Sequence, residues 1–239
     1  FRKFCRGSMN PFQKGFIEGI IPPKPMAVSD WSDKHRRLSS KGSSEPGAWR
    51  TSRVPYLKEP MNCLSVTNTD VQRVVVMFGA QLGKTEMGIN FLLYTIDHCP
   101  APILCVAASL DMVKRMSRQR LEPAFEETPV IKAKIAPQRS RDASNSMFIK
   151  EYPNGILMLT GSNSPAGLRS TSGGVSEGDP CELAIKRTST FSRKKILMTS
   201  TPTTKDFSRI ESEYLASDMR RYWVPCPACN EYQTLVWGQ

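Results

Sequence analysis

The feature that most restricts the fold is a short glycine-containing run between two apolar segments: Gly79, Ala80, Gln81, Leu82, Gly83, Lys84 and Thr85. The residues before it, QRVVVMF at 72–78, are β-branched and almost continuously apolar, as a strand covered on both faces must be. After it, apolar residues recur at helical spacing as far as Asp97. The sequence therefore predicts a buried strand, a tight loop and an amphipathic helix, in that order.

Each residue type in this run suits the binding of phosphate. Glycine lets the backbone curl so that successive N–H groups face an anion, and the dipole of the following helix adds partial positive charge there. Lys84 can reach the β- and γ-phosphates, and the Thr85 hydroxyl can hold a Mg²⁺ ion between them. The motif departs from the usual spacing, because Gly79 stands four residues before Gly83 where five are expected. A plain strand–helix turn that contains glycine is the alternative.

The rest of the chain continues the alternation of strands and helices. Ser109 is placed to cap a helix that runs towards Arg120, and Asn154-Gly155 after Pro153 predicts the turn of a hairpin. Strands alternating with helices imply an α/β fold with a mostly parallel sheet flanked by helices. Together with the loop at 79–85, this favours the P-loop NTPase class. The further predicted elements are a strand over 102–108, the hairpin over 146–161, a strand over 194–202, a helix over 206–217 and short strands around a CxxC pair at 220–238.

Hydroxyl residues end the strand predicted over 194–202: Thr199, Ser200 and Thr201. Ligands of open α/β sheets lie beyond the carboxyl ends of the strands, so these groups are placed to sense a γ-phosphate or its attacking water. A strand that simply ends in a Ser/Thr turn is the alternative. Arg169 follows a glycine-rich loop, where a guanidinium can meet phosphate or DNA, although a solvated arginine fits as well.

A P-loop ATPase also needs a carboxylate at the end of a neighbouring buried strand. No apolar run in this chain ends in Asp-Glu. The acids in the relevant stretch are Glu177 and Asp179, within SGGVSEGDP, where no hydrophobic strand precedes them. They are interpreted as loop or helix-capping acids.

The charge of the chain favours a polyanionic partner. Its 239 residues carry a formal net charge of +11 and a sequence pI near 9.5. The first sixty residues contain 12 of the Lys/Arg and five of the Asp/Glu residues, and runs such as Ile21–Pro25 and Leu38–Pro46 are typical of an extended linker. This basic arm is interpreted either as a DNA contact or as a solvated segment.

Seven cysteines, an odd number spread widely along the chain, indicate reduced thiols rather than a disulfide scaffold. Cys226 and Cys229 resemble one knuckle of a zinc ribbon and form a candidate half-site for Zn²⁺; two reduced surface thiols are the alternative. No apolar run approaches the ~18–20 residues of a membrane span, and no signal peptide is recognisable. A soluble intracellular protein without membrane contact is expected.

Several runs, all in the same order, resemble the large subunit of lambda-like tailed-phage terminases, the motor that packages DNA into capsids. They cover most of the chain from about Trp49 onward: VPYLKEPMN, GAQLGKTE, LTGSNSPAGLRS, EGDPCELAIKRTSTF, RKKILMTSTPT and RRYWVPCPACNEYQ. The resemblance implies a helicase-like P-loop ATPase domain, coupled in the family to a following nuclease domain.

The resemblance also implies roles for single residues. Lys84 and Thr85 would be the phosphate and Mg²⁺ residues, within a loop that extends through Glu86. Thr199 to Thr201 would couple hydrolysis to DNA movement, and Arg169 would belong to an arginine-bearing motif. The segment around Trp49, Pro55 and Tyr56 lies where the family contacts adenine, and an aromatic ring there can stack on the base.

Two departures from the family limit what is expected. An apolar strand ending in Asp-Glu, which the family has between the LRS and EGDP segments, is absent around 170–178, so we expect nucleotide binding with severely reduced hydrolysis. The expected organisation is a basic arm and linker at 1–60, the ATPase domain at 61–218 and the start of a ribbon-like region at 219–239. No nuclease carboxylate cluster is present, so DNA cutting is not expected of these residues.

The sequence thus predicts an ATP- and Mg²⁺-binding domain of a DNA-packaging motor that acts in the host cytoplasm. The partners implied by the resemblance are double-stranded DNA, the terminase small subunit, the portal or procapsid, and further copies of the chain. Two alternatives stay open. One is a non-catalytic DNA- or capsid-binding remnant of a prophage terminase, and the other is a different P-loop enzyme such as a helicase or a small-molecule kinase.

Overall fold

The computed structural model describes residues 10, 24–41, 43, 45–135, 146–162, 179–202 and 208–234. The helices in these ranges are α1 Val28–His35, α2 Lys58–Cys63, α3 Lys84–His98, α4 Leu110–Met116, α5 Glu122–Glu127, α6 Pro129–Lys132, α7 Pro180–Lys186 and α8 Arg209–Leu215. The strands are β1 Arg37–Leu38, β2 Gly47–Ala48, β3 Arg73–Met77, β4 Ile103–Ala107, β5 Ile149–Tyr152, β6 Gly155–Gly161, β7 Ile196–Ser200, β8 Val224–Pro225 and β9 Tyr232–Gln233. A π-helical turn at Ser117–Leu121 joins α4 to α5.

Parallel pairs form the centre of the fold. β3 pairs with β7 in a register that sets Met77 opposite Ser200, and β4 pairs with β6. β5 joins β6 as the antiparallel arm of the predicted hairpin, whose turn places Asn154 at φ 63°. With helices against these strands, the predicted α/β architecture of parallel strands flanked by helices is confirmed.

The parallel strands lie in two sheets rather than one. Among the described strands, β3–β7 and β4–β6–β5 share no backbone pairing. β4 is half-buried at every position, and the last two residues of β7 are exposed. Parallel strands are ordinarily covered on both faces, and this exposure is therefore unusual. In the described part of the chain, β3, β4 and β7 each have one edge without a partner strand.

Helix α3 holds the core together. Its buried face, which includes Met87, Leu93 and Ile96, packs against α1, α6 and β7. Trp31 of α1 meets the ring of Tyr94 edge-on at 6.3 Å. Helix α3 therefore links the N-terminal helix α1 and helix α6 to strand β7.

The N-terminal segment departs from the linker expected of it. Val28 and Trp31 are fully buried, and the Trp31 indole N–H donates to Asp97 at 2.7 Å. Helix α1 thus packs against α3, because its large apolar side chains are buried there. They are too few to give a clear helical period in the sequence, which is why the helix is not predicted. In the same segment, Leu38 lies in β1, which pairs antiparallel with β2. How the chain divides at residues 60 and 218 stays a prediction.

Two capping side chains occupy the positions expected of them. The Ser109 hydroxyl accepts from the Met112 amide at the start of α4. The Asp179 carboxylate accepts from the Cys181 amide at the start of α7, which agrees with its interpretation as a capping acid. Both contacts satisfy amide groups that a helix start leaves without a partner.

Candidate nucleotide-binding site

The loop between β3 and α3 bends through two left-handed residues. Gln81 has φ 59° and Gly83 has φ 75°. Gly83 precedes the first helical residue, and a Cβ atom there would lie 3.0 Å from the Leu57 Cδ1 atom. A side chain at Gly83 is therefore opposed by backbone strain and by a close neighbour. The loop geometry accounts for the glycine at this position. The 15-residue helix α3 begins directly after it, next to the carboxyl end of β3.

Lys84 joins this loop to the end of β7. Its ammonium donates to the Phe78 carbonyl at 2.9 Å, to the Gly79 carbonyl, and to the Thr201 hydroxyl at 2.7 Å. These contacts bring together the first loop residues and the hydroxyl cluster, which the sequence indicates only as separate features. Burial lowers the pKa of the Lys84 ammonium from its ordinary value.

The hydroxyl groups around Lys84 are accessible. Thr85, Thr199 and Ser200 are exposed, and the Ser200 hydroxyl donates to the Thr201 carbonyl at 3.1 Å. Because β3 and β7 are parallel and adjacent, their carboxyl ends reach the same edge. The arrangement offers backbone amides, an ammonium and hydroxyls at one edge, the groups that a triphosphate and its cation need.

Glu86, expected among the loop residues, forms ion pairs with two arginines outside the loop. Its carboxylate lies 3.0 Å from the Arg36 guanidinium and 3.6 Å from that of Arg120. The Arg36 side chain is only 3% exposed, and burial lowers its pKa while Glu86 raises it. Arg36 also donates to the Asn90 amide oxygen at 3.2 Å. Glu86 thereby fastens α3 to the segment that follows α1.

The two aromatic residues expected near a base differ in accessibility. Trp49 is buried, and its indole N–H donates to the Thr51 hydroxyl at 3.0 Å, so its ring has no free face for stacking. Tyr56 is half-buried and meets the Phe78 ring edge-on at 5.9 Å. Burial raises the pKa of its hydroxyl. Tyr56 therefore stands beside the residue that opens the loop.

One aromatic neighbour is missed by sequence reasoning. Tyr222 meets Tyr56 edge-on at 5.9 Å, and Arg220 forms an ion pair with Glu59 of α2. These residues lie far from the loop in the sequence, within a run that the sequence analysis interprets only as the approach to the CxxC pair. No spacing rule links them to Tyr56, and only the tertiary structure brings them there.

Some expected residues lie outside the described part of the chain. Arg169 and Glu177 fall within 163–178, as does the junction at 170–178 where an acidic strand is expected to be missing. Their roles stay predictions.

The CxxC pair lies in the turn between β8 and β9. Cys226 is half-buried and Cys229 exposed. Hydrogen bonds from the Cys229 and Ala228 amides lower the pKa of the Cys226 thiol. The described residues contain no group of three or more His, Cys, Asp or Glu side chains placed to hold a metal ion, so nothing in them adds to the Zn²⁺ half-site.

The fold and this loop together define an α/β domain of the P-loop class. The profile of the family "Phage terminase large subunit gpA, ATPase domain" matches residues 43–175 and 172–239. The chain belongs to this family. The two matched segments meet at 172–175, within the junction at which the sequence analysis places the missing strand.

Curated relatives carry the same description. The chain is 27% identical over 238 residues to the terminase large subunit of Enterobacteria phage P21, which covers 92% of the chain and 36% of that protein. It is 23% identical over 243 residues to the terminase large subunit of Escherichia phage lambda, covering 95% and 37%. The chain thus spans somewhat more than a third of the length of these relatives. None of its described helices is long and apolar enough to cross a membrane.

Proposed function

We propose that this chain is the ATP-binding motor domain of a DNA-packaging terminase, with a nucleotide site that binds Mg²⁺·ATP and hydrolyses it poorly. The observation that carries the proposal is the 2.7 Å hydrogen bond from the Lys84 ammonium to the Thr201 hydroxyl. It joins the phosphate loop to the strand end that the resemblance assigns to coupling.

Each residue of the site has a definite task. The amides of 79–85 face the phosphates, and the Thr85 hydroxyl is a ligand for the cation. Mg²⁺ held by Thr85 together with ATP would offset part of the negative charge of the phosphates. Lys84 exchanges its carbonyl partners in the loop for anionic phosphate oxygens, which are the stronger acceptors. Thr201 then loses or redirects its bond to Lys84, and the end of β7 responds to the bound phosphate.

Hydrolysis needs a group that orients and activates the attacking water. Among the described residues no carboxylate contacts Lys84, and Glu86 is engaged by Arg36 and Arg120. The sequence has no Asp-Glu pair at the end of an apolar run. The loop can therefore still bind ATP, whereas hydrolysis lacks the carboxylates that would activate the attacking water.

Double-stranded DNA is the polyanion that we assign to the basic surface. Lys114, Arg115 and Arg118 lie exposed along α4 and the π-helical turn, close to the end of β4. Residues at i and i+4 share a helix face, so Lys114 and Arg118 can contact neighbouring phosphates of one backbone. The terminase small subunit, the portal or procapsid and further copies of the chain are the proposed protein partners, and the host cytoplasm is the proposed compartment.

The test is DNA affinity measured across a salt series, with and without Mg²⁺·ATP, for the wild type and Lys84→Ala. A motor domain gives a DNA affinity that shifts when ATP is added, and the shift is lost in Lys84→Ala. In both proteins, the slope of the logarithm of the DNA-binding constant against the logarithm of the salt concentration measures the number of phosphate contacts.

The same measurement decides the second candidate. Net charge and the exposed cations of α4 favour a DNA-binding remnant whose phosphate loop no longer matters. Such a remnant binds DNA with the same salt slope, and neither ATP nor Lys84→Ala changes its affinity. That result would overturn the motor proposal.

A further inference from the structure

The connection between α7 and β7 is strongly cationic. No Asp or Glu occurs between 183 and 205, and residues 186–194, named here the basic turn, contain four cations: Lys186, Arg187, Arg193 and Lys194. Lys186 and Arg193 are exposed, and the other two are half-buried. Within the described residues, no carboxylate forms an ion pair with any of the four. Their charge is therefore available to an anionic partner.

The acidic residues near α7 lie at its opposite end. Asp179 and Glu182 both pair with Arg209 of α8, and the distance from Glu182 is 2.7 Å. Arg209 also pairs with Glu213 at 2.6 Å. These contacts fasten the start of α7 to α8 and compensate its charges there, so the positive charge is concentrated at the end of α7 that leads into the basic turn.

Hydrogen bonds fix the backbone of the basic turn. The Thr188 hydroxyl donates to the Ile185 carbonyl at 2.7 Å, and the Phe191 amide donates to the Thr188 carbonyl at 3.1 Å. Directly after the turn, the Lys195 ammonium donates to three backbone carbonyls within 63–71. The turn is thus held in place while Phe191 remains 51% exposed.

The exposed groups of the basic turn are those that contact DNA. Phe191 is surrounded in the sequence by three exposed hydroxyl residues, Ser189, Thr190 and Ser192. Arginine, lysine, serine and threonine side chains are the usual donors to DNA phosphates. Proteins that bind in a groove of DNA also use exposed apolar side chains, phenylalanine among them. An acidic polypeptide would pair with the cations and leave the ring and the hydroxyls without a role.

We propose that the basic turn binds the phosphate backbone of double-stranded DNA, with Phe191 packed against sugars and base edges of a groove. This contact, which rests on the proposed function, adds to it a DNA-binding element distinct from α4. Strand β7 joins the basic turn to the nucleotide site, because Thr201 follows its last residue and contacts Lys84. The strand spans about 13 Å, and it is paired with β3 along its whole length. A shift of Thr201 on ATP binding therefore reaches the basic turn through one short strand.

The experiment measures the affinity of the full chain for a short blunt-ended DNA duplex across a salt series, with and without Mg²⁺·ATP. The variants are Lys186→Ala, Arg193→Ala, Phe191→Ala and Phe191→Leu. Lys132→Ala is the matched control for the cations, since Lys132 is exposed on α6. Leu215→Ala is the control for the ring, since Leu215 is 61% exposed on α8. Unfolding temperatures verify that each variant folds.

The two kinds of variant give different signatures. Lys186→Ala and Arg193→Ala each reduce the salt slope of DNA binding by about 1, as expected for one lost phosphate contact. Phe191→Ala weakens binding by about fivefold at every salt concentration, about half of what burying a whole phenylalanine side chain contributes. Phe191→Leu retains most of the affinity, and both controls behave as the wild type does. The shift in DNA affinity on adding ATP is smaller in Arg193→Ala than in the wild type.

Several results would overturn the DNA contact. One is an unchanged salt slope in both cation variants at the unfolding temperature of the wild type. Another is a wild type that binds polyglutamate, with this binding weakened in the cation variants while DNA binding is unchanged, because the basic turn would then recognise an acidic polypeptide. An ATP shift in Arg193→Ala as large as that of the wild type would overturn the link through β7.

The failure of the motor proposal has its own signature. If ATP shifts the DNA affinity of no protein while the cation variants lose salt slope, the motor proposal fails and the DNA contact of the basic turn stands. If ATP shifts the affinity of the wild type and the cation variants keep the full slope, the DNA contact alone fails. A folded wild type that does not bind DNA overturns both.

Discussion

At the scale of single residues, the site is organised by one ammonium group with three acceptors. Lys84 bonds to two carbonyls of its own loop and to Thr201 from a strand distant in sequence. The loop residues are predicted from a Gly-Lys-Thr run between a strand and a helix, which favours a phosphate loop although Gly79 stands one residue closer to Gly83 than is usual. The meeting of Lys84 with Thr201 is predictable only in outline, since parallel strands end at a common edge but a local pattern does not determine their order in the sheet.

The lowered pKa of Lys84 predicts a pH dependence of nucleotide affinity. Burial disfavours the charged ammonium, so in the free protein it loses its proton at a lower pH than an ordinary lysine. The ammonium attracts phosphate only while protonated. Affinity for Mg²⁺·ATP is therefore retained below this pKa and falls as the pH rises through it.

Calorimetric titrations at a series of alkaline pH values measure this fall. Lys84→Arg is the control, because a guanidinium stays protonated throughout the range. If the wild type and Lys84→Arg decline in parallel, the pH dependence does not come from residue 84.

At the scale of elements, α3 is joined to its surroundings by the ion pair between the buried Arg36 guanidinium and the half-buried Glu86 carboxylate. Removing one partner of a buried pair leaves the other charge without compensation and costs about 3–5 kcal/mol. Glu86→Gln is therefore expected to lower the free energy of unfolding by about 3 kcal/mol, measured by urea denaturation.

The control is Glu45→Gln, since Glu45 pairs with Arg53 where both side chains are more than half exposed. An exposed pair contributes ~1 kcal/mol or less. Equal losses in the two variants would show that Glu86 does not fasten the helix.

Most elements follow from the sequence, and the exceptions have physical causes. The strand before the loop, helix α3, the β5–β6 hairpin and the strand ending in hydroxyls are long or strongly patterned. Helix α1 is not recognisable in advance, because Val28 and Trp31 give too short a period within a basic, Pro- and Ser-rich stretch. Helix α1 is buried because it packs against α3, and the sequence of α1 alone carries no information about the surface of α3.

At the scale of the whole molecule, the parallel strand pairs of the described residues lie in two sheets on one core, β3–β7 and the mixed sheet β4–β6–β5, without pairing between them. In the described residues β4 is half-buried throughout and the last two residues of β7 are exposed. The absence of an intervening acidic strand stays a prediction. Unpaired strand edges expose backbone N–H and C=O groups, which can pair with strands of other chains and cause aggregation. The two family matches overlap at 172–175, inside the junction where that strand is predicted to be missing.

Restoring the strand should restore turnover. An insertion between Ser170 and Gly178 of an apolar strand ending in Asp-Glu is expected to raise steady-state ATP hydrolysis by about a hundredfold, the lower end of what a positioned acid–base group contributes. The same insertion ending in Asn-Gln supplies the strand without its carboxylates.

The matched insertion separates structure from chemistry. Both insertions should raise the unfolding temperature, and only the acidic one should hydrolyse ATP. High turnover by the unmodified chain, abolished by Lys84→Ala, would contradict the view that this chain lacks its catalytic acids.

The most direct measurement of the central claim is a calorimetric titration of the folded chain with Mg²⁺·ATP, alongside Lys84→Ala. We predict a saturable isotherm for the wild type and a loss of at least about tenfold in affinity for the variant, as expected for removing charge-assisted hydrogen bonds. The two proteins should unfold at similar temperatures. No binding heat from the folded wild type at any temperature tested, or equal affinity in the two proteins, would contradict the account.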